Sequence, residues 1–372
     1  MANGNQYEIL AVPDTSWFDK EPEKFLSRPD FIEYQKVAGV DFMDLKSPDI
    51  YTREKAQNKI TSQSVIFNSI HSEHAGHKMP DVYYTHDIRV GKLAPNFNPE
   101  LENLAFQFDM GDSLRRRNFA LGYSILPQAI ERVANRTQKP VIIYDLGSGM
   151  GLDTMHALEQ INPDLVERVL NFDTNQDAIL RGEKIRDYLV NEGRIKKDVI
   201  KFYNHTLTKP HEVSKGKAGI VKKIGVVCGL KNPIAQGIFN IAAANLIPGG
   251  ESISSSSNFN MLYTDPLPSF LIQNIGSSKD TSRSWGLTCR REEIMRDLIT
   301  NAGLNVQHIY DDANFPGRED IEEEIRSGID TLVEEALFPG KPNPYKSFFD
   351  FPPREVLDKK IGYNWLAIGL KE

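Results

Sequence analysis

Three glycines at alternate positions, Gly147, Gly149 and Gly151, follow the apolar run Val141-Ile-Ile-Tyr144 and precede a helix-like stretch over 153–161. Backbone without a Cβ turns tightly after a strand and lets a ligand lie against the main chain. The helix behind such a turn offers unpaired N–H groups and a partial positive charge, which suit a carboxylate or a phosphate. Two acids bracket the turn. Asp145 ends the strand just before the first glycine, where a carboxylate can face the cationic end of an amino-acid-like ligand. Asp173 follows a second strand, 28 residues beyond Asp145, where a carboxylate can accept both hydroxyls of a ribose. The spacing G-x-G-x-G puts the third glycine one residue early for the dinucleotide loop G-x-G-x-x-G, which disfavours a nicotinamide cofactor. The pattern points to a nucleoside bearing an amino acid.

The elements that must hold these residues alternate along the chain. Strands are expected over 141–144, 168–172, 199–203, 223–228, 250–255, 305–310 and 362–370. Helices are expected over 153–161, 177–192, 235–246 and 291–302, with a helical pair leading in from about 113 to 134. Strands alternating with helices of this length imply βαβ units and a mainly parallel sheet covered on both faces. Ligands of such sheets sit beyond the carboxyl ends of the strands, at the switch in strand order. The first 112 residues differ in texture: polar, proline-punctuated, with short apolar patches and one longer helix expected within 52–70.

The segments Asp145-Leu-Gly-Ser-Gly-Met-Gly151, Phe172-Asp173 and Leu246-Ile-Pro-Gly-Gly250 resemble, in order and spacing, the successive motifs of class I S-adenosylmethionine-dependent methyltransferases. More loosely, Trp285-Gly-Leu-Thr-Cys-Arg-Arg-Glu-Glu-Ile294 is similar to a run in a group of bacterial methyltransferases of unassigned substrate. The resemblance spans about 113–372. It implies an α/β, three-layer, Rossmann-like seven-stranded sheet whose last strand, Asn364 to Leu370, runs antiparallel. It leaves 1–112 as an N-terminal helical or irregular extension that could cover a substrate. It implies S-adenosyl-L-methionine as cofactor and assigns roles. Asp145, Gly147, Ser148, Gly149 and Gly151 hold the methionine part, and Asp173 with Thr174 the ribose. Thr206 and Leu207 meet the adenine; Cys228 and Gly229 line the transfer site. Many members carry an acid or amide at the adenine turn, whereas this chain reads Asn204-His-Thr-Leu-Thr208.

Composition narrows the acceptor. A chain of 372 residues with 40% hydrophobic and 26% charged residues can bury a sizeable core. Its net charge of −7 argues against a surface built to neutralise nucleic-acid phosphates. The start of the chain lacks a signal-peptide pattern, and no stretch approaches about 18 apolar residues. Two cysteines, Cys228 and Cys289, are too few for a disulfide framework. A soluble cytoplasmic enzyme with no membrane partner is the expectation. Roughly fifty residues, 311–360, intervene where a hairpin would suffice, and with the N-terminal region they could wall the site in favour of a small acceptor.

Weaker signals remain. His71, His74 and His77 have helical spacing, but Gly76 and the lack of an His-Glu-x-x-His pattern favour a solvated or ligand-covering segment over a metal site. Cys228 reads as a small apolar residue rather than a nucleophile. Arg116 or Arg117 could approach the methionine carboxylate, although such a run is more often a solvated helix face. Arg283, Arg290 and Arg291 around Trp285 could form an anion fork or a surface cluster, and Tyr263 could approach the same mouth. His205, Tyr263 and His308 are candidate bases, with none singled out. Two other readings stay open: a nicotinamide-dependent oxidoreductase on a similar sheet, and a cofactor-binding interaction protein without transfer activity.

Overall fold

The computed structural model describes residues 16–73, 78–85, 94–214, 216–259, 266–276, 288–319, 331–344 and 362–372. Seven runs rich in β-branched and apolar residues pair into one sheet: β1 Val141–Leu146, β2 Val166–Asp173, β3 Ile200–Asn204, β4 Ala218–Lys223, β5 Leu246–Ser257, β6 Asn305–Asp311 and β7 Asn364–Leu370. Their spatial order is β3-β2-β1-β4-β5-β7-β6. The first five strands are parallel. β7 runs antiparallel to both its neighbours, β5 and β6. The order reverses between β1 and β4, which places a ligand crevice at their carboxyl ends.

Alternate residues go to opposite faces, as a strand's two-residue period requires. Ile143, Val169, Ile220 and Ile368 face one apolar core, and Tyr144, Leu170, Val221 and Ala367 the other. α1 Lys78–Thr85 packs with the N-terminal helices, and the helices that cover these faces are α2 Asp109–Ala120, α3 Leu126–Thr137, α4 Leu152–Gln160, α5 Gln176–Asn191, α6 Asn232–Asn245 and α7 Glu292–Asn301. The result is the three-layer Rossmann-like α/β architecture that the motifs imply. A π-helical turn, Leu121–Ile125, joins α2 to α3 without a loop, where the sequence reads as a helical pair. Among the described residues no helix is long and apolar enough to cross a membrane.

A third core lies among the N-terminal helices and the helix Pro266–Gly276. Phe270 supplies its centre, with ring centroids 4.5 Å from Phe18, 5.2 Å from Phe42 and 5.9 Å from Phe31. The single helix expected within 52–70 is two, Ile50–Thr61 and Val65–Glu73. Buried Glu102 explains the restart, because its carboxylate accepts the N–H of Val65 (2.9 Å) and of Ile66 (3.1 Å) and so caps the second helix.

The fourth strand is also displaced from its expected position. It covers Ala218–Lys223 rather than 223–228, and Val227–Gly229 is a 3-10 turn after Gly225 takes a left-handed φ of 72°. Two lysines end the true strand and both are buried, so its last turn of sequence does not read as core. Lys222 and Lys223 point to opposite faces. Lys223 Nζ lies 2.6 Å from Ser252 Oγ and 4.1 Å from the Phe239 ring centroid. Burial pushes its ammonium down to about 7. Between pH 7 and the ordinary lysine range the unfolded chain therefore holds one more proton than the folded one, and stability rises with pH across that window. Lys223→Met is expected to stabilise the protein at pH 7 by about 2 kcal/mol. It should also flatten the pH dependence, both read from urea midpoints; an unchanged midpoint would show that the buried ammonium is not a liability.

Candidate functional site

The loop after β1 is pinned to the neighbouring strand, since Gly147 N and Ser148 N both donate to Phe172 O (2.8 and 3.2 Å). Gly147, Gly149 and Gly151 all have positive φ, at 71°, 55° and 68°. The approach is close at Gly147, where a Cβ would lie 2.6 Å from Val226 Cγ2, and at Gly151, where it would lie 2.6 Å from Asn171 Nδ2. At Gly149 a Cβ would meet no protein atom within 4 Å, so this glycine borders open space. That space belongs to a cavity of about 360 Å³ at the β1/β4 crevice.

The cavity joins most of the residues singled out from the sequence. Asp145, Gly147, Ser148, Gly149, Gly151, Asp173 and Thr174 all line it. Asp173 is held rigidly, with Oδ2 accepting Gly149 N and Oδ1 accepting Asn175 N, both at 2.8 Å. Each of its oxygens keeps a further lone pair for a hydroxyl.

At the floor Asp145 meets two residues that the sequence reading did not single out. Lys222 Nζ lies 2.8 Å from Asp145 Oδ2 and 2.6 Å from Asp153 Oδ1, with all three side chains buried or nearly so. Thr154 Oγ1 donates to Asp145 Oδ2 at 3.2 Å. The other oxygens, Asp145 Oδ1 and Asp153 Oδ2, are buried and have no hydrogen-bond partner among the described residues. Two carboxylates against one ammonium leave the floor net negative. Burial pushes the Asp145 carboxyl up to about 6, against the pull of Lys222. Lys222 itself is raised by the two carboxylates despite its burial. Asp153 sits two residues past Gly151 and was open to notice; Lys222 was hidden by the misplaced fourth strand.

A second cavity, of about 230 Å³, adjoins the first, and Pro80, Arg117, Gly225 and Val226 line both. Cys228 and Gly229 line this second cavity and not the first. Cys228 Sγ donates to Gly225 O at 2.9 Å, and burial raises its pKa, so it stays a thiol. Thr206 and Leu207 line neither cavity; Leu207 sits behind the loop, with Cδ2 3.6 Å from where a Gly147 Cβ would stand.

The three arginines diverge. Arg115 and Arg116 are buried and both reach Asp112, and Arg116 also faces Asp312 at 3.7 Å. Arg117 borders the cavities. Arg290 is buried and braces the turn after β4, donating to Val227 O (2.8 Å), Leu230 O (2.5 Å) and Ser256 Oγ (2.8 Å), while Arg291 lies over the Phe259 ring. Neither Arg290 nor Arg291 lines either of these two cavities. His205 bonds Lys209 O within its own loop, and His308 stacks on Tyr310 along β6. His71 Nδ1 lies 2.8 Å from Ile275 O. His74, His77, Tyr263, Arg283, Trp285 and much of 311–360 lie outside the described residues.

No family model matches the chain, and no curated protein matches it. Among solved structures it is similar to the plantazolicin methyltransferase BamL, at 12% identity over 82% of this chain and 99% of that one, with a TM-score of 0.43. It is also similar to the magnesium protoporphyrin IX methyltransferase of Synechocystis PCC 6803 with bound SAM, at 9% identity over 71% and 82% of the two chains and a TM-score of 0.41. A third is the O-methyltransferase NcsB1 from neocarzinostatin biosynthesis, at 12% identity over 70% and 57%, with a TM-score of 0.41. Likenesses of this size carry no argument about the chain, whose fold rests on its own strand pairings.

Proposed function

We propose that this chain transfers a methyl group from S-adenosyl-L-methionine to a small-molecule acceptor. The observation that carries the reading is the pair of partnerless, buried carboxylate oxygens on Asp145 and Asp153, at the end of a glycine loop that also holds Asp173. A buried anionic oxygen without a partner is costly unless a ligand supplies one. An α-ammonium fits that floor, the first turn of α4 suits the α-carboxylate, and Asp173 with Thr174 suits a ribose. Thr206 and Leu207 would meet the adenine beyond the described cavity wall.

When bound, the cofactor supplies a methyl group on a cationic sulfur. The chain's own residues then align the acceptor for in-line attack and exclude water. Cys228 and Gly229 in the second cavity would flank the acceptor. We read 113–372 as the catalytic unit, with an insertion at 311–360, and 1–112 as a cover. Pro80 and Tyr84 on α1 support that, since both reach the first cavity. A net charge of −7 favours a small acceptor over nucleic acid, and two free thiols suit a reducing cytoplasm.

Titration calorimetry with S-adenosylmethionine, S-adenosylhomocysteine and NAD tests the reading. The two sulfur ligands are expected to bind and NAD to give no heat; failure of both sulfur ligands would refute it. Affinity should also depend on pH in one direction. An ammonium favours ionised Asp145, whose carboxyl titrates near 6 in the free protein. Below pH 6 binding must therefore release a proton, and affinity for S-adenosylhomocysteine should fall by up to about tenfold per pH unit. Asp145→Asn should bind more weakly and lose that slope.

A further inference from the structure

The second cavity has a different electrostatic character from the first. Four acids, Asp81, Asp145, Asp153 and Asp173, line the first cavity, whereas among the described residues lining the second there is no carboxylate and no imidazole. Its wall is largely apolar, from Met79, Met110, Leu114, Val226 and Leu230, and among the described residues its one charged group is Arg117. The two methionines give that wall an adaptable surface.

Arg117 is 5% exposed, and among the described residues no acid lies within ion-pair distance of it. Its neighbours on the helix pair with acids, Arg115 with Asp112 and Arg116 with Asp112 and Asp312, and Arg290 has its donors filled by the turn that it braces. Arg117 has Tyr84 Oη at 2.9 Å on the side of the first cavity and Asn364 Oδ1 at 3.4 Å on the side of the second, and its Nε has no partner. Burial opposes its charge, and the Asp153 carboxylate, beyond ion-pair distance, helps to sustain it; a buried guanidinium with no ion pair remains expensive. The methionine carboxylate has the first turn of α4; among the described residues an anion in the second cavity has only Arg117.

We infer that the second cavity is the acceptor site and takes a small apolar molecule bearing a carboxylate, which Arg117 holds at the junction of the two cavities. The inference rests on the methyltransferase reading above. A carboxylate is ionised at pH 7 without help, whereas a phenol or alcohol needs a base. Among the described residues the second cavity offers none, since the Cys228 thiol is held by Gly225 O and Tyr363 Oη donates to Asp109. In the transfer, a carboxylate oxygen forms a bond to the methyl carbon as the carbon–sulfur bond breaks and its electron pair goes to sulfur. A methyl ester and a neutral thioether result, with no proton to place. Charge is lost along that path, so Arg117 serves binding and alignment more than the chemical step, and its removal should raise KM more than it lowers kcat.

The test uses the full chain saturated with S-adenosylhomocysteine and titrated with octanoate, octylamine and 1-octanol, which share a tail and differ in head group. Octanoate is expected to bind at least tenfold more tightly than the other two. Arg117→Leu should erase that preference while leaving S-adenosylhomocysteine affinity within threefold, and Arg117→Lys should retain part of it. The head-group comparison on the unaltered chain stands even if a variant does not fold. Binding of S-adenosylhomocysteine with no preference for octanoate would overturn the inference alone. So would an Arg117→Leu variant that keeps the preference and loses tenfold in S-adenosylhomocysteine affinity, since that would put Arg117 on the methionine carboxylate. No binding of S-adenosylhomocysteine to the unaltered chain would overturn the methyltransferase reading, and this inference with it.

Discussion

Gly149→Val is expected to abolish cofactor binding, weakening S-adenosylhomocysteine by at least a hundredfold, while the protein still folds. Gly149 has φ 55°, and a Cβ added there meets no protein atom within 4 Å. The folded chain therefore bears only the strain of a side chain at positive φ, about 1–2 kcal/mol. The added methyls would stand in the space beside the cavity floor that the ligand is proposed to fill. Gly151 could not give so clean a result, because a Cβ there would collide with Asn171. Calorimetry paired with a thermal melt decides the matter. Unchanged affinity in a folded Gly149→Val protein would mean that the loop turns the chain and cradles nothing.

Lys222→Met should be the most destabilising single change at the site. It leaves Asp145 and Asp153 buried beside one another with no cation between them. Breaking a buried ion pair from one side typically costs about 3–5 kcal/mol. The sign of the pH dependence follows from the same contacts. Without Lys222 the Asp145 carboxyl loses the attraction that opposes its burial and is pushed further up, so the folded variant takes up a proton that the unfolded chain does not hold near neutral pH. Its stability deficit should be greatest near pH 8 and shrink towards pH 5. Urea denaturation at the two pH values checks this, and an equal deficit at both would show that the lysine acts through packing rather than charge.

Much of the sheet was legible because its signals are local. The apolar run of β1, the alternate glycines and the acids Asp145 and Asp173 depend on neighbours in sequence, and the structure gathers them at one crevice. Lys222 was illegible for the opposite reason. Its partners are strands and helices away, and a strand ending in two lysines reads as polar edge although both are buried. The break between the two helices within 50–73 depends on Glu102, about 36 residues on in the chain. The arginine run could be seen but not sorted. Successive residues of a helix point about 100° apart, so Arg115 faces the Phe106 ring at 4.6 Å, Arg116 faces Asp312 and Arg117 faces the cavities. Which of the three meets a ligand depends on the phase of α2, and no spacing within the run reveals it.

That phase is set by the π-helical turn Leu121–Ile125. A π turn is an α-helix with one residue inserted, and here it lies against α4, with Gly122 close to His156 and Asp153. Removing one residue would restore a continuous α-helix and rotate α2 by about 100° relative to α3. That rotation would turn Phe119 and Ala120 of α2, with Leu121, out of the core they share with Ala129, Ile130 and Val133, as it brought a different arginine towards the cavities. The residues that fix which arginine meets the cavities are therefore also residues of the sheet's core, and a single-codon deletion in the turn would disturb both together.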